Sequence, residues 1–130
     1  MIVTDTSILV PALGDDGQYG RTARQRLLDE HLAAPELVDL ELLSAFRRLV
    51  GSGRMSEIRA TTALTDFSEL VITRSAHRPL LPRCWELREN LTPYDAAYVA
   101  LAESLAVVLV TADNRLARAP GIRCAVELLQ

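Results

Sequence analysis

No lysine occurs in this 130-residue chain; all 14 basic residues are arginines. Chemistry that needs a primary amine is therefore excluded: Schiff-base formation, the phosphate-binding lysine of a P-loop, and the lysine of phospho-acceptor receiver domains. Arginine still binds phosphate, and bidentately. Cysteine is almost as scarce. Cys84 and Cys124 stand at a spacing that fits neither a zinc motif nor a disulfide framework, so a reducing, cytoplasmic setting is expected. The two histidines, His31 and His77, are far apart with no ligand spacing around them, and both are expected at the surface or with satisfied rings. Aromatic residues make up 5% of the chain against 49% hydrophobic residues, so the core must be aliphatic. The longest purely aliphatic run, Leu105 to Val110, has the length of a strand, and no membrane span is expected. Asp5 interrupts the apolar N-terminus and no basic segment precedes it, which argues against a signal peptide. The formal net charge of −3 gives no global attraction to nucleic acid; a polyanionic partner would need bound cations or a local arginine surface.

What is present describes one domain spanning 1–130, with no repeat and no low-complexity linker. A chain of this size buries roughly two-thirds of its unfolded surface, enough for one core. Met1 to Thr4 reads as a strand ending at Asp5. Ser7 to Leu13 reads as a short helix closed by Pro11 and the Gly14–Gly17 turn. Tyr19 to Glu30 is amphipathic, with Arg21, Arg24 and Arg26 toward solvent and Ala23, Leu27 and Leu28 inward. A very short strand, His31 to Ala34, is followed by a helix from Glu36 to Val50 that stops at Gly51-Ser52-Gly53. Ser56 opens a helix to about Leu70, and Val71 to Thr73 is a brief strand. Helices follow over Pro82–Asn90 and Thr92–Ser104, then a strand over Ala106–Thr111, a helical turn over Asn114–Arg118 and a last strand over Ile122–Leu128. Strands alternate with helices, and the clearest strands are continuous apolar runs. That pattern defines an α/β fold whose parallel sheet is covered on both faces.

Ligands of open parallel sheets bind beyond the carboxyl ends of the strands. Asp5 directly follows the first strand, Asp113 follows the strand ending at Thr111, and Asp95 lies in the first turn of the helix leading into that strand. Each has an innocent alternative. Asp5, Asp113 and Asp95 all stand where helix caps recruit aspartate, and Thr92, Pro93 and Asp95 fit a capping box. Glu41 differs: it is expected well inside the helix Glu36–Val50, flanked by Leu40, Leu42 and Leu43, where capping does not account for it. Its ordinary alternative is a boundary position, with its carboxylate reaching water or pairing with Arg48. Acids gathered at one edge repel one another unless they surround a cation or share protons. All-oxygen sites suit Mg²⁺ or Mn²⁺, and carboxylate-held Mg²⁺ is equipment for phosphoryl chemistry. The residues thus reach metal-dependent phosphoester hydrolysis without choosing the substrate.

At these residues the chain resembles the PIN-domain family, and within it the VapC-type toxins of bacterial toxin–antitoxin pairs. The matching segments are Val3–Ser7, Pro35–Glu41, Thr92–Ala102 and Thr111–Leu116, in order over essentially the whole chain. The resemblance implies a Rossmann-like three-layer fold, a parallel sheet of about five strands sandwiched between helices. It implies endoribonuclease activity with Mg²⁺, or alternatively Mn²⁺. Asp5, Glu41, Asp95 and Asp113 would form the catalytic set, with Asp5, Asp95 and Asp113 as metal ligands and Thr6, Ser7, Thr111 and Asn114 in support. Arg47, Arg48, Arg54 and Arg115 are candidates for RNA phosphates; solvated helix faces are the plainer reading of each. Some relatives carry a further acid shortly after the last aspartate, where this chain has Asn114 and Leu116, so one tightly bound metal is expected, with a second arriving with substrate. A homodimer and a small antitoxin covering the site are implied as partners.

Two other readings compete. A haloacid-dehalogenase-type phosphatase needs a second aspartate two residues after the first and a lysine; Ser7 stands there and lysine is absent. A DNA nuclease or a non-catalytic acidic pocket docking a basic segment stays open on the residues alone.

Overall fold

The computed structural model describes residues 1–130. Five parallel strands form one sheet in the order β3-β2-β1-β4-β5, where β1 is Ile2–Thr4, β2 Leu32–Pro35, β3 Ile72–Ser75, β4 Val108–Thr111 and β5 Val126–Leu128. Seven helices connect them: α1 (Thr6–Gly14), α2 (Gln18–Leu27), α3 (Val38–Gly51), α4 (Glu57–Glu69), α5 (Leu81–Glu86), α6 (Pro93–Leu105) and α7 (Asn114–Ala117). This is the α/β class expected from the sequence.

The middle strand is the most deeply covered. Ile2 pairs with Leu32 on one side and Val108 on the other, and Val3 pairs with Ala33 and Leu109. Val3, Ala33, Leu109 and Val110 have no exposed surface, which is why these strands read as unbroken apolar runs instead of alternating ones. Helix α6 lies across β1, β2 and β4. Its run Ala96–Ala102 is buried throughout, and the small alanine side chains let a helix approach a sheet closely. Helix α1 packs on β4 and gathers α2, α3 and α4 around itself. The few aromatics that are buried, Phe46, Phe67 and Tyr98, join an otherwise aliphatic core, while Trp85 is exposed.

Several boundaries differ from expectation, each for a local reason. Pro11 does not close α1; the helix runs on to Gly14, and the Pro11 carbonyl still accepts the Asp15 N–H. A proline removes one donor without ending a helix that neighbouring elements hold in place. Leu28 is not inward but exposed, because the chain turns extended there and leaves the helical face. Arg26 is not solvated: it forms ion pairs with Glu30 and with Glu127, so that α2 is latched to the edge strand β5. Arg24 donates to the carbonyls of Ala12 and Asp15, which joins α2 to the end of α1. Strand β4 starts at Val108 and not Ala106, because Ala106 adopts a left-handed conformation (φ 55°) as the C-cap of α6. Helix α3 begins at Val38 instead of Glu36. The Glu36 N–H is bound by the Ser75 carbonyl and the Leu37 N–H by His77 Nε2 (2.9 Å), so both residues belong to the junction with β3. His77 is thereby satisfied and His31 is exposed, as expected of both.

Gly20 marks the tightest approach in the fold. A Cβ there would lie 1.8 Å from the Asp15 carbonyl oxygen and 2.8 Å from that of Pro11. Helix propensity alone says that Gly20→Ala should stabilise α2 by about 1 kcal/mol. The clash predicts the opposite sign, a loss of about 1–3 kcal/mol, read as a lower midpoint in urea with an unchanged slope.

Candidate active site

The strand order runs outward from β1 in both directions, so the sheet has its switch point between β1 and β4. Open α/β sheets bind ligands there, outside the carboxyl ends of the strands. Asp5 follows β1 directly, and Asp113 follows β4 at one residue's remove.

Each aspartate does serve the structural role that its position suggested. Asp5 is the N-cap of α1, its Oδ1 accepting the Ser7 N–H at 3.1 Å. Asp113 is the N-cap of α7, its Oδ1 accepting from the N–H of Arg115 at 2.9 Å and of Leu116 at 3.4 Å. Thr92 caps α6 by accepting the Asp95 N–H at 3.2 Å, with Pro93 as the first helical residue. Capping does not exhaust them. Asp5 is buried, with 7% of its surface exposed, and the Ser7 hydroxyl donates to the same oxygen as the Ser7 N–H. Its other oxygen accepts from the hydroxyl of Thr111, a residue with no exposed surface, at 2.6 Å. Ser7 and Thr111 also touch each other (3.2 Å) and bind the N–H groups of Ala112 and Asp113, so the ends of β1 and β4 are sewn together through these two hydroxyls.

Glu41 is not where the sequence suggested. With α3 starting at Val38 it stands in the first helical turn, a position the helix dipole favours for a carboxylate. It pairs with no arginine: Arg48 donates to Ser44, and Glu41 Oε1 accepts the Tyr98 hydroxyl at 2.7 Å. Tyr98 comes from α6, three residues after Asp95, and is buried. Sequence reasoning assigned Tyr98 no role. The available signal was a tyrosine in an alanine-rich buried helix, since a buried phenol seeks a polar partner. The Thr4 hydroxyl is buried at the end of β1 and has no hydrogen-bond partner.

The acids share one electrostatic field. Burial pushes the Asp5 carboxyl up to about 6; bonds from Ser7 and Thr111 oppose the rise, and the Asp95 charge adds to it. Burial raises Asp95, with Asp113 adding repulsion, while the Thr92 hydroxyl and Arg115 pull it down. Burial raises Glu41, the Tyr98 bond opposes this, Asp95 adds to it and Arg48 lowers it. Burial and the Glu41 carboxylate push Tyr98 above the usual phenol range. Asp95 is thus the hub, felt by Asp5, Glu41 and Tyr98 and itself feeling Asp113. Of the supporting residues expected, Ser7 and Thr111 bond to Asp5, whereas the side chains of Thr6 and Asn114 make no hydrogen bond to the acids. Arg48 and Arg54 line a groove beside Ser7, Arg115 is exposed near Asp113, and Arg47 is exposed on α3.

The donor set tests the fit to a divalent cation. No three histidine, cysteine or acidic side chains converge closely enough to grip an ion by themselves. Mg²⁺ does not require that; it is held through one or two carboxylates and keeps several of its waters. Oxygen-only donors whose negative charges raise one another, with no lysine among them, fit such an ion.

An open parallel sheet with acids at its switch point defines the class: a doubly wound α/β domain with a carboxylate site. The model for the PIN domain matches residues 2–122, and the chain belongs to the PIN-domain family. It is 43% identical over 129 residues to a VapC ribonuclease of Mycobacterium bovis, covering 99% of this chain and 98% of the relative. It is 42% identical over 129 residues to ribonuclease VapC1 of Mycobacterium tuberculosis, covering 98% and 97%. Among solved structures, a protein of Pyrobaculum aerophilum aligns with a TM-score of 0.69 at 27% identity, over 96% of this chain and 81% of that one. VapBC2 of Rickettsia felis, solved with a promoter DNA fragment, aligns with a TM-score of 0.68 at 20% identity over the full length of both chains, a likeness of fold.

The raised Asp5 sets a pH dependence. Between the ordinary value of 3.8 and about 6, the unfolded chain has released a proton that the fold retains, so stability falls as pH rises through that window. Without metal, Asp5→Asn should be more stable than the parent at neutral pH, by on the order of 3 kcal/mol. The two urea curves should converge below about pH 4. A difference that does not change with pH would place the carboxylate in water.

Proposed function

We propose that this chain is a divalent-metal-dependent endoribonuclease, the toxin of a toxin–antitoxin pair. The observation that carries the reading is the electrostatic coupling of Asp95 to Asp5, Glu41 and Asp113 around the switch point, where Arg115, 4.0 Å from Asp113, is the one arginine paired with any of the four carboxylates. The relatives named VapC ribonucleases, alike over nearly their whole length, support RNA as the substrate, and the resemblance to VapC-type toxins implies a small antitoxin as the partner.

Asp5, Asp95 and Asp113 are the residues that would hold Mg²⁺, with Mn²⁺ as a substitute. When bound, the ion lowers the pKa of a water and neutralises charge on the phosphate. The chain's own residues prepare that site. Ser7 and Thr111 fix both oxygens of Asp5, so its orientation does not depend on ligand. Tyr98 stays protonated and its hydroxyl donates a hydrogen bond to Glu41 Oε1, which fixes that carboxylate as an acceptor that would orient a water. Thr4, Thr111 and the helices over the sheet exclude bulk solvent from the floor, which strengthens every electrostatic interaction above it.

No helix of the chain is long and apolar enough to cross a membrane. A cytoplasmic site of action and a homodimer complete the reading. Leu81 and Tyr94, both more than half exposed, flank a pocket of about 170 Å³ shared with Leu37, and Leu40, one turn beyond it, is also exposed. Light scattering should report twice the 14.3 kDa chain mass.

With mixed cellular RNA, cleavage should require Mg²⁺ or Mn²⁺, stop with chelator and fall to background in Asp5→Asn. Cleavage that survives that change overturns the mechanism. Tyr98→Phe, which removes only the hydroxyl that holds Glu41, should cost about 10- to 100-fold in activity or metal affinity while the fold persists.

A further inference from the structure

Beside the acidic site, α1 and α3 enclose an open groove of about 530 Å³ whose lining contains two arginines and no acid. Its volume is that of a small-ligand pocket. Its walls combine three kinds of surface. Val10, Pro11 and Leu49 form an apolar floor. Thr6 contributes a hydroxyl that bonds to nothing in the protein, and Ser7, the next residue, is the one that donates to Asp5. Arg48 and Arg54 stand at the rim, both exposed and neither paired with a carboxylate.

Arginines with and without internal partners both occur in this chain; Arg47, Arg78 and Arg118 also lack one, so it is their place in the groove that sets Arg48 and Arg54 apart. Arg26, Arg59, Arg74 and Arg83 are each committed to carboxylates within the protein. Arg54 makes no ion pair and no side-chain hydrogen bond, and Arg48 bonds only to the neutral hydroxyl of Ser44. Two guanidiniums without carboxylate partners around an apolar floor, in a groove whose Thr6 is the neighbour of the buried Asp5, form a local cationic surface on a chain of net charge −3. Guanidinium recognises phosphate bidentately, and an apolar floor accepts a ribose or a base face.

Resting on the ribonuclease reading, we propose that this groove is a nucleotide subsite: it takes one unpaired nucleotide of the RNA strand flanking the cut, its phosphates on Arg48 and Arg54 and its ribose or base against Val10, Pro11 and Leu49. A base held in a helical stack cannot enter so small a groove, so the subsite selects single-stranded RNA, whose bases can be splayed out. Of the four arginines that the sequence nominated, this separates Arg48 and Arg54 from Arg47 and Arg115, which do not line the groove.

The test uses the whole chain carrying Asp5→Asn, so that binding is read without cleavage, and a fluorescein-labelled single-stranded oligouridylate as probe. The slope of log Kd against log salt should shrink by about 0.7 for Arg54→Ala and by about twice that when Arg48→Ala is added. Arg88→Ala, the loss of a distant exposed arginine, should leave the slope unchanged. A matched RNA duplex should show no loss on Arg54→Ala. An unchanged slope for the single strand overturns the subsite, and so does an equal loss for strand and duplex, which would mean general surface charge. In the Asp5 parent background, Arg54→Ala should raise KM and leave kcat at saturating RNA; a fall in kcat alone also overturns it. Absence of RNA cleavage by the unmodified chain would be a failure of the ribonuclease reading instead, and the oligouridylate slopes separate the two.

Discussion

The Asp5 carboxylate sits at the end of the middle strand with its surface almost wholly covered, and an ion at that depth is tolerated only if its oxygens are bonded. Two hydroxyls and one N–H meet that demand, from Ser7 on α1 and Thr111 on β4. The same hydroxyls bind the backbone after β4. One buried charge therefore ties together the start of α1, the end of β1 and the end of β4, the three segments that bound the switch point. The remainder of the fold holds this junction shut from below: α6 covers β1, β2 and β4 with a run of alanines, and α1 anchors α2, α3 and α4 above β4.

Holding acids close together costs stability. Asp5 and Asp95 are raised by burial and by neighbouring charge, and no arginine neutralises them in contact. A site built for structure would have paired them, as the chain does elsewhere with Arg26 and Glu127, Arg74 and Asp39, and Arg83 and Glu103. Arg48 and Arg54 line the groove next to Ser7 without a carboxylate partner, a local cationic surface on a chain whose overall field repels a polyanion.

Much of this arrangement was legible in the residues. Continuous apolar runs announced covered parallel strands, and the positions of Asp5 and Asp113 after two of them announced a common edge. Missing lysine removed whole mechanisms at once. The errors have a shared origin in contacts between distant segments. The start of α3 moved because the N–H groups of Glu36 and Leu37 are bound by Ser75 and His77, some forty residues on, and that shift carried Glu41 into a first turn. Arg26 left the solvent because Glu127 meets it from β5. Pro11 failed to end α1 because the packing of four helices outweighs one missing donor. Tyr98 looked like core because its partner lies 57 residues away.

By itself, then, the sequence determined the class of fold, the aliphatic core and the caps, since each follows from composition, period or near-neighbour spacing. The tertiary structure decided which acids feel one another, that Asp95 is coupled to the others, and which arginines line the groove beside Ser7. Coulomb interaction and hydrogen bonding depend on distance in space, and local pattern carries no record of the chain separations across which these groups meet.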